Sequence, residues 1–258
     1  CYRYKNRCVR QTSTATPRRF DIIGNTGEIM NLKEKAAQKA LTFVTSGMTL
    51  GLGTGSTTAF FVDMLGEKLK AGALADIRGV PTSNATEERA RKWGIPIVTL
   101  GEYPKLDLAV DGADEVDPAL NLIKGLGRAL LREKIVEVHA ERFVVIVDDS
   151  KTVARLGTRG ALPVEILPFE ADAHIHWLDA LPGCRAEHWL EEDGSPAITD
   201  NGNYLVKCYF EEGISDAYGL AQTLSTRPGI IEHGLFLDMA TTVIVASKDG
   251  VKLMKRNA

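Results

Sequence analysis

The chain has 258 residues with a net charge of −3, and its composition is 44% hydrophobic and 25% charged. This length accommodates one large domain, or a large domain with a small companion, and the composition is ordinary for a globular protein. The negative charge argues against nucleic acid as the main partner, since nucleic-acid binding usually needs a basic face. A membrane partner is not expected either, because no apolar run approaches the ~20 residues that cross a bilayer.

The first 29 residues differ in composition from the rest. They hold six basic residues against two acids, a local net charge of +4, and show no apolar periodicity. This leader is a disordered tail, a transit-peptide-like sequence, or translated sequence upstream of a true start at Met30. We favour the last explanation because Met30 directly precedes a helix start at Asn31, and fold prediction therefore begins there.

The four cysteines do not form a disulfide framework. Cys1 and Cys8 lie in the leader, and Cys184 and Cys208 fall on separate predicted strands without metal-ligand spacing. The five histidines show no ligand spacing either, so no metal site is predicted. A reducing, cytoplasmic location is expected, with organellar import as the alternative if the leader is a transit peptide.

Predicted helices and strands alternate from Asn31 to Lys151. Strands are expected at residues 48–52, 77–80, 95–100, 106–110 and 142–147, and helices at 31–46, 58–70, 85–94 and around Glu133. Alternation of this kind is typical of an α/β protein with a doubly wound, mostly parallel, Rossmann-like sheet.

The pattern changes after Gly157. Strands at 161–167, 185–190 and 204–210, helices at 170–181 and 215–225, and a further strand near Ile230 predict a smaller, ferredoxin-like α+β domain. The apolar run at 241–246 is expected to return to the first sheet. The predicted domains are a catalytic α/β domain at 30–156 plus 233–258, and a small lid or oligomerisation domain at 157–232.

A glycine turn, Gly53-Thr54-Gly55-Ser56-Thr57, separates a predicted strand from a helix. It lacks the third glycine of a dinucleotide fingerprint and the lysine of a P-loop. Free backbone N–H groups and the positive end of the helix dipole make this turn suitable for a phosphate monoester. The alternative is an ordinary helix N-cap by Ser56 or Thr54.

A second cluster lies between Leu106 and Lys134. A buried strand is followed by acids, then by a lysine, a glycine turn and a helix; the polar residues are Asp111, Asp114, Glu115, Asp117, Lys124 and Glu133. Open α/β sheets bind ligands at the carboxyl ends of their strands, where Lys151 is also expected. Two alternatives are a simple turn at Asp111–Asp114 and a solvated helix face at 132–134, and Lys151 is equally explained as a surface lysine.

The sequence resembles the type A ribose-5-phosphate isomerases in an ordered set of motifs between about Leu32 and Lys255. These are GLGTGST at 51–57, TSNAT at 82–86, DGADEVD at 111–117, IKGLGRALLREK at 123–134, DDSK at 148–151, PVEILP at 163–168, TDNGN at 199–203 and PGIIEHGLF at 228–236. The resemblance implies interconversion of ribose 5-phosphate and ribulose 5-phosphate through an enediol or enediolate. It implies no metal and no cofactor, and a homodimer or homotetramer.

The resemblance also implies residue roles. Glu133 would be the base next to the carbonyl, Asp111 would open the ring or handle hydroxyl protons, and Lys124 would stabilise the enediolate. The residues implied in substrate binding are Lys33, Thr54, Gly55, Ser56, Thr57, Asp111, Gly112, Ala113, Asp114, Lys124, Gly125, Leu126, Gly127 and Lys151. Among these, Asp114 would bind sugar hydroxyls. The segment Thr54 to Thr57, together with Lys33 and Lys151, would bind chiefly the phosphate.

Two residues depart from the family pattern. The turn after the lysine is typically Gly-Gly-Gly or Gly-Arg-Gly and then a small residue, whereas here it reads Gly125-Leu126-Gly127-Arg128. Leu126 would be strained if its φ were positive, and Arg128 would crowd the turn or add charge near the site. Alternative functions are a sugar-phosphate-binding regulator, which would need a DNA-binding module that the sequence lacks, and a related sugar-phosphate deaminase or CoA transferase.

Overall fold

The computed structural model describes residues 31–256. The predicted leader at 1–29 and the proposed start at Met30 lie outside the described residues. The helices are α1 (Leu32–Leu41), α2 (Ser56–Lys70), α3 (Asn84–Lys92), α4 (Leu130–Glu137), α5 (Ala171–Asp179) and α6 (Ala217–Ser225). The strands are β1 (Thr49–Leu52), β2 (Arg78–Pro81), β3 (Leu108–Asp111), β4 (Glu115–Val116), β5 (Leu122–Ile123), β6 (Phe143–Asp148), β7 (Leu162–Ile166), β8 (Cys184–His188), β9 (Tyr204–Phe210), β10 (Ile230–His233), β11 (Leu235–Phe236), β12 (Thr242–Ser247) and β13 (Gly250–Lys255). Within this range, no helix combines the length and apolar character of a membrane span.

The central sheet has the strand order β13-β12-β6-β3-β1-β2. All its pairs are parallel except β12 with the edge strand β13. The strands β6 and β12 are continuous apolar runs because both faces of the sheet are covered. One face packs on α1 and α2 through Ala36, Ala40, Phe61 and Leu65. The predicted doubly wound, mostly parallel sheet is confirmed.

The topology places a ligand-binding crevice between β1 and β3. The chain leaves β1 toward β2 on one side and then returns to β3 on the other side, so the direction of winding reverses between these two strands. Ligands of open α/β sheets bind at such a switch point, outside the carboxyl ends of the strands. The glycine turn that follows β1 and the acids that follow β3 are therefore brought together.

A four-stranded antiparallel sheet, in the order β10-β7-β9-β8, forms the smaller unit. Its core includes Val164 and Ile166 of β7, Leu178 of α5, Val206 of β9 and Leu224 of α6. The chain order β-α-β-β-α-β matches the predicted ferredoxin-like arrangement. The predicted domain bounds at 156, 157, 232 and 233 stay predictions.

The structure differs from the predicted elements in several places. The expected strand at 95–100 is reduced to one bridge between Ile97 and Gly79, because Pro96 has no N–H to donate and Thr99 opens a turn capped by Glu102. The helix α1 ends at Leu41, earlier than predicted. The edge strand β13 and a small three-stranded sheet, β11-β5-β4, were not predicted.

Candidate active site

A cavity of about 230 Å³ opens at the carboxyl ends of β1 and β3. Its lining consists of Lys33, Thr54, Gly55, Ser56, Thr57, Thr58, Gly112, Ala113, Asp114, Lys124, Gly125, Leu126, Gly127, Glu133 and Lys151. Every residue predicted above for the site lines this cavity except Asp111. Thr58 is the one lining residue that the sequence did not indicate. The two motifs therefore converge on one cavity, as their strand-end positions predicted.

The glycine turn after β1 supplies free N–H groups. Gly55 has a φ of +126° and precedes α2 without any side-chain cap, so the alternative interpretation, an N-cap by Ser56 or Thr54, is wrong. A residue with a side chain would be strained at this φ. Because the N–H groups of a first helical turn have no partner inside the helix, this end of α2 presents donors to the cavity.

Thr54 supports the turn with its hydroxyl. Its Oγ1 lies 2.7 Å from Thr82 Oγ1 and donates to Ser83 Oγ at 2.8 Å, while its N–H donates to Asp111 Oδ1 at 3.0 Å. Residues of the TSNAT motif therefore fix the Thr54 side chain by hydrogen bonds. Thr54 lines the cavity, but its hydroxyl is already bonded to protein oxygens.

Two further lysines line the cavity where it is more exposed to solvent. Lys33 of α1 is half-buried, and its Nζ donates to Ser56 Oγ at 2.8 Å. Lys151 is also half-buried and ends a short 3-10 turn after β6, which Asp148 caps through the Ser150 N–H at 3.0 Å. We call Lys33, Ser56 and Lys151 the outer end of the cavity. Its charge and donors suit a phosphate group.

The buried part of the cavity, which we call the inner end, holds a group of charges. Lys124 is 2% exposed, and its Nζ lies 2.8 Å from Asp111 Oδ2, 3.4 Å from Glu133 Oε2 and 3.4 Å from Glu137 Oε1. Its Nζ also donates to the Gly112 carbonyl oxygen at 2.8 Å. We call Asp111, Lys124, Glu133 and Glu137 the charge cluster.

Asp111 lies behind the cavity and is not among its lining residues, so its predicted contact with substrate stays a prediction. Its carboxylate accepts four hydrogen bonds, from Thr54 N, Thr58 Oγ1, Gly112 N and Lys124 Nζ, at 2.7 to 3.0 Å. Gly53 packs directly against it, and a Cβ at Gly53 would lie 2.1 Å from the Asp111 Cγ. The close approach of the two strand ends therefore buries Asp111 completely.

Asp114 joins the two loops around the cavity. Its Oδ2 accepts a hydrogen bond from the Leu126 N–H at 2.9 Å, and Asp114 lines the cavity. Burial raises the pKa of its carboxyl, although the Leu126 N–H and Lys124 act in the opposite direction. Because the Leu126 N–H is already bonded to Asp114, it is not free to donate to a substrate oxygen, and Lys124 is the buried donor that remains.

The two residues that depart from the family pattern, Leu126 and Arg128, do not adopt the conformations expected from the sequence. Leu126 has no positive φ, whereas Arg128 does, at +65°. Arg128 does not line the cavity; its guanidinium pairs with Glu191 and lies 5.2 Å from the Trp189 ring. The strain expected at Leu126 therefore falls on Arg128, and no charge is added inside the cavity.

Glu133 lies in the first turn of α4, because the helix begins at Leu130. Burial raises the pKa of Glu133 to about 8; Lys124 lowers it, whereas Asp111 and Asp114 raise it. Burial alone would lower the pKa of Lys124, but the neighbouring carboxyl groups outweigh this and raise it well above its usual value. The arrangement combines a base that titrates near neutral pH with a permanent cation.

The helix face at 132–134 is not a solvated charge cluster. Arg132 donates to Asn201 Oδ1 and Asn84 Oδ1, each at 2.8 Å, and Lys134 donates to Glu232 Oε1 at 2.6 Å. Both neighbours of Glu133 thus hold α4 against surrounding elements. The alternative interpretation of this run is wrong.

Other acids of the two motifs have different roles. Glu115 is buried and accepts hydrogen bonds from the N–H groups of Gly157 and Arg159 at 2.6 and 2.7 Å, so it anchors a loop.

Glu137 was not predicted, although it follows Glu133 by four residues and therefore shares its helix face. That spacing was the available signal.

The chain resembles known proteins along most of its length. Residues 78–250 match the family model for ribose 5-phosphate isomerase A (phosphoriboisomerase A). A probable ribose-5-phosphate isomerase 2 of Arabidopsis thaliana is 48% identical over 95% of this chain and 96% of its own length. The ribose-5-phosphate isomerase A of Roseiflexus castenholzii is 48% identical over 85% of this chain and 93% of its own.

Solved structures agree with this relationship. A D-ribose-5-phosphate isomerase in complex with phospho-erythronic acid superposes with a TM-score of 0.84 at 45% identity, covering 87% of this chain and 98% of that one. The ribose 5-phosphate isomerase from Plasmodium falciparum gives a TM-score of 0.84 at 38% identity, covering 88% and 99%. The chain belongs to the ribose 5-phosphate isomerase A family.

Proposed function

We propose that this cavity interconverts D-ribose 5-phosphate and D-ribulose 5-phosphate with Glu133 as the base. The observation that carries the proposal is a buried carboxyl with a pKa of about 8, in the same cavity as Lys124 and two further lysines. A general base is most effective when its pKa lies near the working pH. The relative bound to phospho-erythronic acid supports a phosphorylated sugar as the substrate class.

The phosphate group binds at the outer end of the cavity. Lys33, Lys151 and the N–H groups at the start of α2 supply positive charge and donors for its oxygens. The hydroxyls of Ser56 and Thr57 add further donors. This end fixes the substrate, so that its carbonyl end reaches the charge cluster.

Glu133 then moves one proton between two carbons. Its carboxylate takes the proton from C2 of the open-chain aldose, next to the C1 carbonyl, and the electron pair moves to form the C1–C2 double bond with negative charge on O1. Lys124 stabilises this enediolate in a buried site where charges interact strongly. The hydroxyl proton passes from O2 to O1, and the protonated Glu133 returns its proton to C1.

Asp114 both binds the sugar hydroxyls and handles their protons, whereas the family resemblance assigns the second of these roles to Asp111. It lines the cavity, and its raised pKa suits exchange of a proton with O1 and O2. Asp111 acts through Lys124, because its four donors leave it buried behind that lysine. The proposal therefore makes Asp111 a positioning residue.

Glu133→Gln tests the assignment. We expect kcat to fall by about 10²–10⁴, the usual contribution of a general base, while the protein still folds and binds a phosphorylated acid. The raised pKa means that folding takes up a proton between pH 4.5 and about 8, so stability is lost as the pH rises through that window. The variant lacks this penalty and should resist denaturant better than the wild type at pH 8.

Glu141→Gln is the matched control, because Glu141 follows the same helix but is exposed. Turnover is measured as ketose formed from ribose 5-phosphate and stability by denaturant titration. Unchanged turnover in Glu133→Gln would remove Glu133 from the role of base. Incubation with glucosamine 6-phosphate should release no ammonia, which separates the isomerase from a deaminase.

We also propose that the chain forms a homodimer or homotetramer. Several large apolar side chains are exposed near the antiparallel sheet, among them Phe169 at 74% and Ile231 on the edge strand β10 at 38%. Light scattering measures the mass directly. The compartment stays a prediction: a cytoplasmic location is favoured by the cysteine usage, and the organellar alternative is supported by a 49% identical Arabidopsis thaliana relative whose name includes the word chloroplastic.

A further inference from the structure

We propose that Glu137 is a positioning residue that works as a neutral carboxylic acid, holding Asp111 and Lys124 in place without adding a second negative charge beside the base. The inference rests on the proposed role of Glu133. It concerns a buried acid that the reaction steps above do not use. The geometry of the charge cluster leads to it.

Glu137 follows Glu133 by one helical turn and shares its burial. Its side chain is 1% exposed, and its Oε1 lies 3.4 Å from Lys124 Nζ. Among the described residues, no donor is within hydrogen-bonding geometry of either carboxyl oxygen. A buried ionised carboxylate without donors is strongly destabilising. A proton on Glu137 removes that penalty.

The three acids of the charge cluster differ in their donors. Asp111 accepts four hydrogen bonds, so both of its carboxylate oxygens have donors. Glu133 also has one oxygen without a donor, Oε2, but it lines the cavity and gains and loses a proton in the proposed reaction. Glu137 has no donor and faces the charge of Asp111, so it is the acid that keeps its proton.

Other charged groups around Glu137 do not change this assignment. Lys124 lowers the pKa of Glu137, but burial, Asp111 and Glu133 all raise it, and the result is well above the usual value. Lys134 on the same helix is neutralised by Glu232 of β10 at 2.6 Å. One shared cation is too little to ionise three carboxyl groups in a buried site.

A neutral Glu137 has two consequences. Its O–H can donate to Asp111, the carboxylate that it faces, and this fixes the partner that orients Lys124. It also leaves one negative charge fewer beside Glu133. An ionised Glu137 would raise the pKa of Glu133 further and keep the base protonated at working pH.

Glu137→Gln and Glu137→Leu test the proposal through the pH dependence of kcat/KM for ribose 5-phosphate. Glutamine matches the neutral acid in shape and charge, so we expect the acid limb of the profile to stay at the wild-type pH and kcat to stay within about threefold. Leucine cannot donate to Asp111, so we expect kcat to fall by about tenfold, the effect of one lost buried hydrogen bond, with KM little changed. A shift of the acid limb to lower pH in Glu137→Gln, or wild-type kcat in Glu137→Leu, would overturn the proposal.

Infrared difference spectroscopy gives a readout that does not depend on activity. We expect the C=O band of a protonated carboxyl at pH 9 in the Glu133→Gln protein, and its loss in the Glu133→Gln, Glu137→Gln double variant. Absence of the band in the single variant would show that Glu137 is ionised. Because Glu133 is already replaced in both proteins, this result is independent of whether Glu133 is the base.

Discussion

The two ends of the cavity use the same residue type for different purposes. At the inner end Lys124 is 2% exposed and lies among three carboxyl groups. At the outer end Lys33 and Lys151 are half-buried, and Lys33 bonds to a hydroxyl. Charge interactions are strong where water is excluded and weaker where it is present. A lysine at the inner end therefore controls chemistry and stability, whereas one at the outer end controls binding.

Among the substitutions that compare the two ends, Lys124→Met should have the largest effect. It leaves the acids of the charge cluster without their cation, and breaking a buried ion pair typically costs about 3–5 kcal/mol. Without Lys124, the carboxyl groups of Glu133 and Glu137 lose the interaction that lowers their pKa values, so these pKa values rise further in the folded state. Stability should therefore fall more at pH 8 than at pH 5, and kcat should fall by about 10²–10³, as for a lost electrostatic stabiliser.

Denaturant titration at both pH values and steady-state kinetics measure these effects. Wild-type stability at pH 8 in Lys124→Met would contradict the view that the inner end is a coupled charge cluster. Retained kcat with a raised KM would place Lys124 among the binding residues instead. Either result would erase the difference between the two ends.

Lys151→Met is the matched change at the outer end, with an intermediate effect. A half-exposed lysine that contacts phosphate contributes to substrate and transition state alike, so its loss raises KM and leaves kcat largely unchanged. We expect KM for ribose 5-phosphate to rise by about tenfold, the equivalent of about 1.4 kcal/mol. The difference in stability between Lys151→Met and the wild type should be the same at pH 5 and at pH 8. An effect confined to kcat would show that Lys151 does not bind the phosphate.

The sequence predicted the outer end better than the inner end. Strand-end position and the glycine turn after β1 locate Ser56 and Lys151 at one edge of the sheet, since topology decides that placement. Whether a side chain is buried depends on how closely neighbouring elements pack, and a sequence pattern does not contain that distance. Asp111 is enclosed because Gly53 lets two strand ends meet, and a strand-end acid looks the same in sequence whether it lines a cavity or lies behind it.

Glu133 shows the same limit for helices. From the residues alone, the run at 132–134 is a solvated face, and only the resemblance to a family identified its middle residue as functional. In the structure Arg132 and Lys134 are held by Asn201, Asn84 and Glu232, which come from distant parts of the chain. Helical spacing alone would have indicated Glu137. Helical spacing cannot indicate that the helix face shared by Glu133 and Glu137 packs against the buried Lys124 rather than facing water.

Arg128 should have the smallest effect, because its charge belongs to neither end of the cavity. It has a φ of +65°, does not line the cavity, and bonds to Glu191. Arg128→Gly loses these contacts but relieves the strain, whereas Arg128→Ala loses the contacts and keeps it. Glycine should therefore be more stable than alanine here by about 1 kcal/mol, measured by denaturant titration. Both variants should keep kcat and KM within about twofold, because Arg128 neither lines the cavity nor contacts the charge cluster. A rise in KM like that of Lys151→Met would instead make Arg128 part of the outer end.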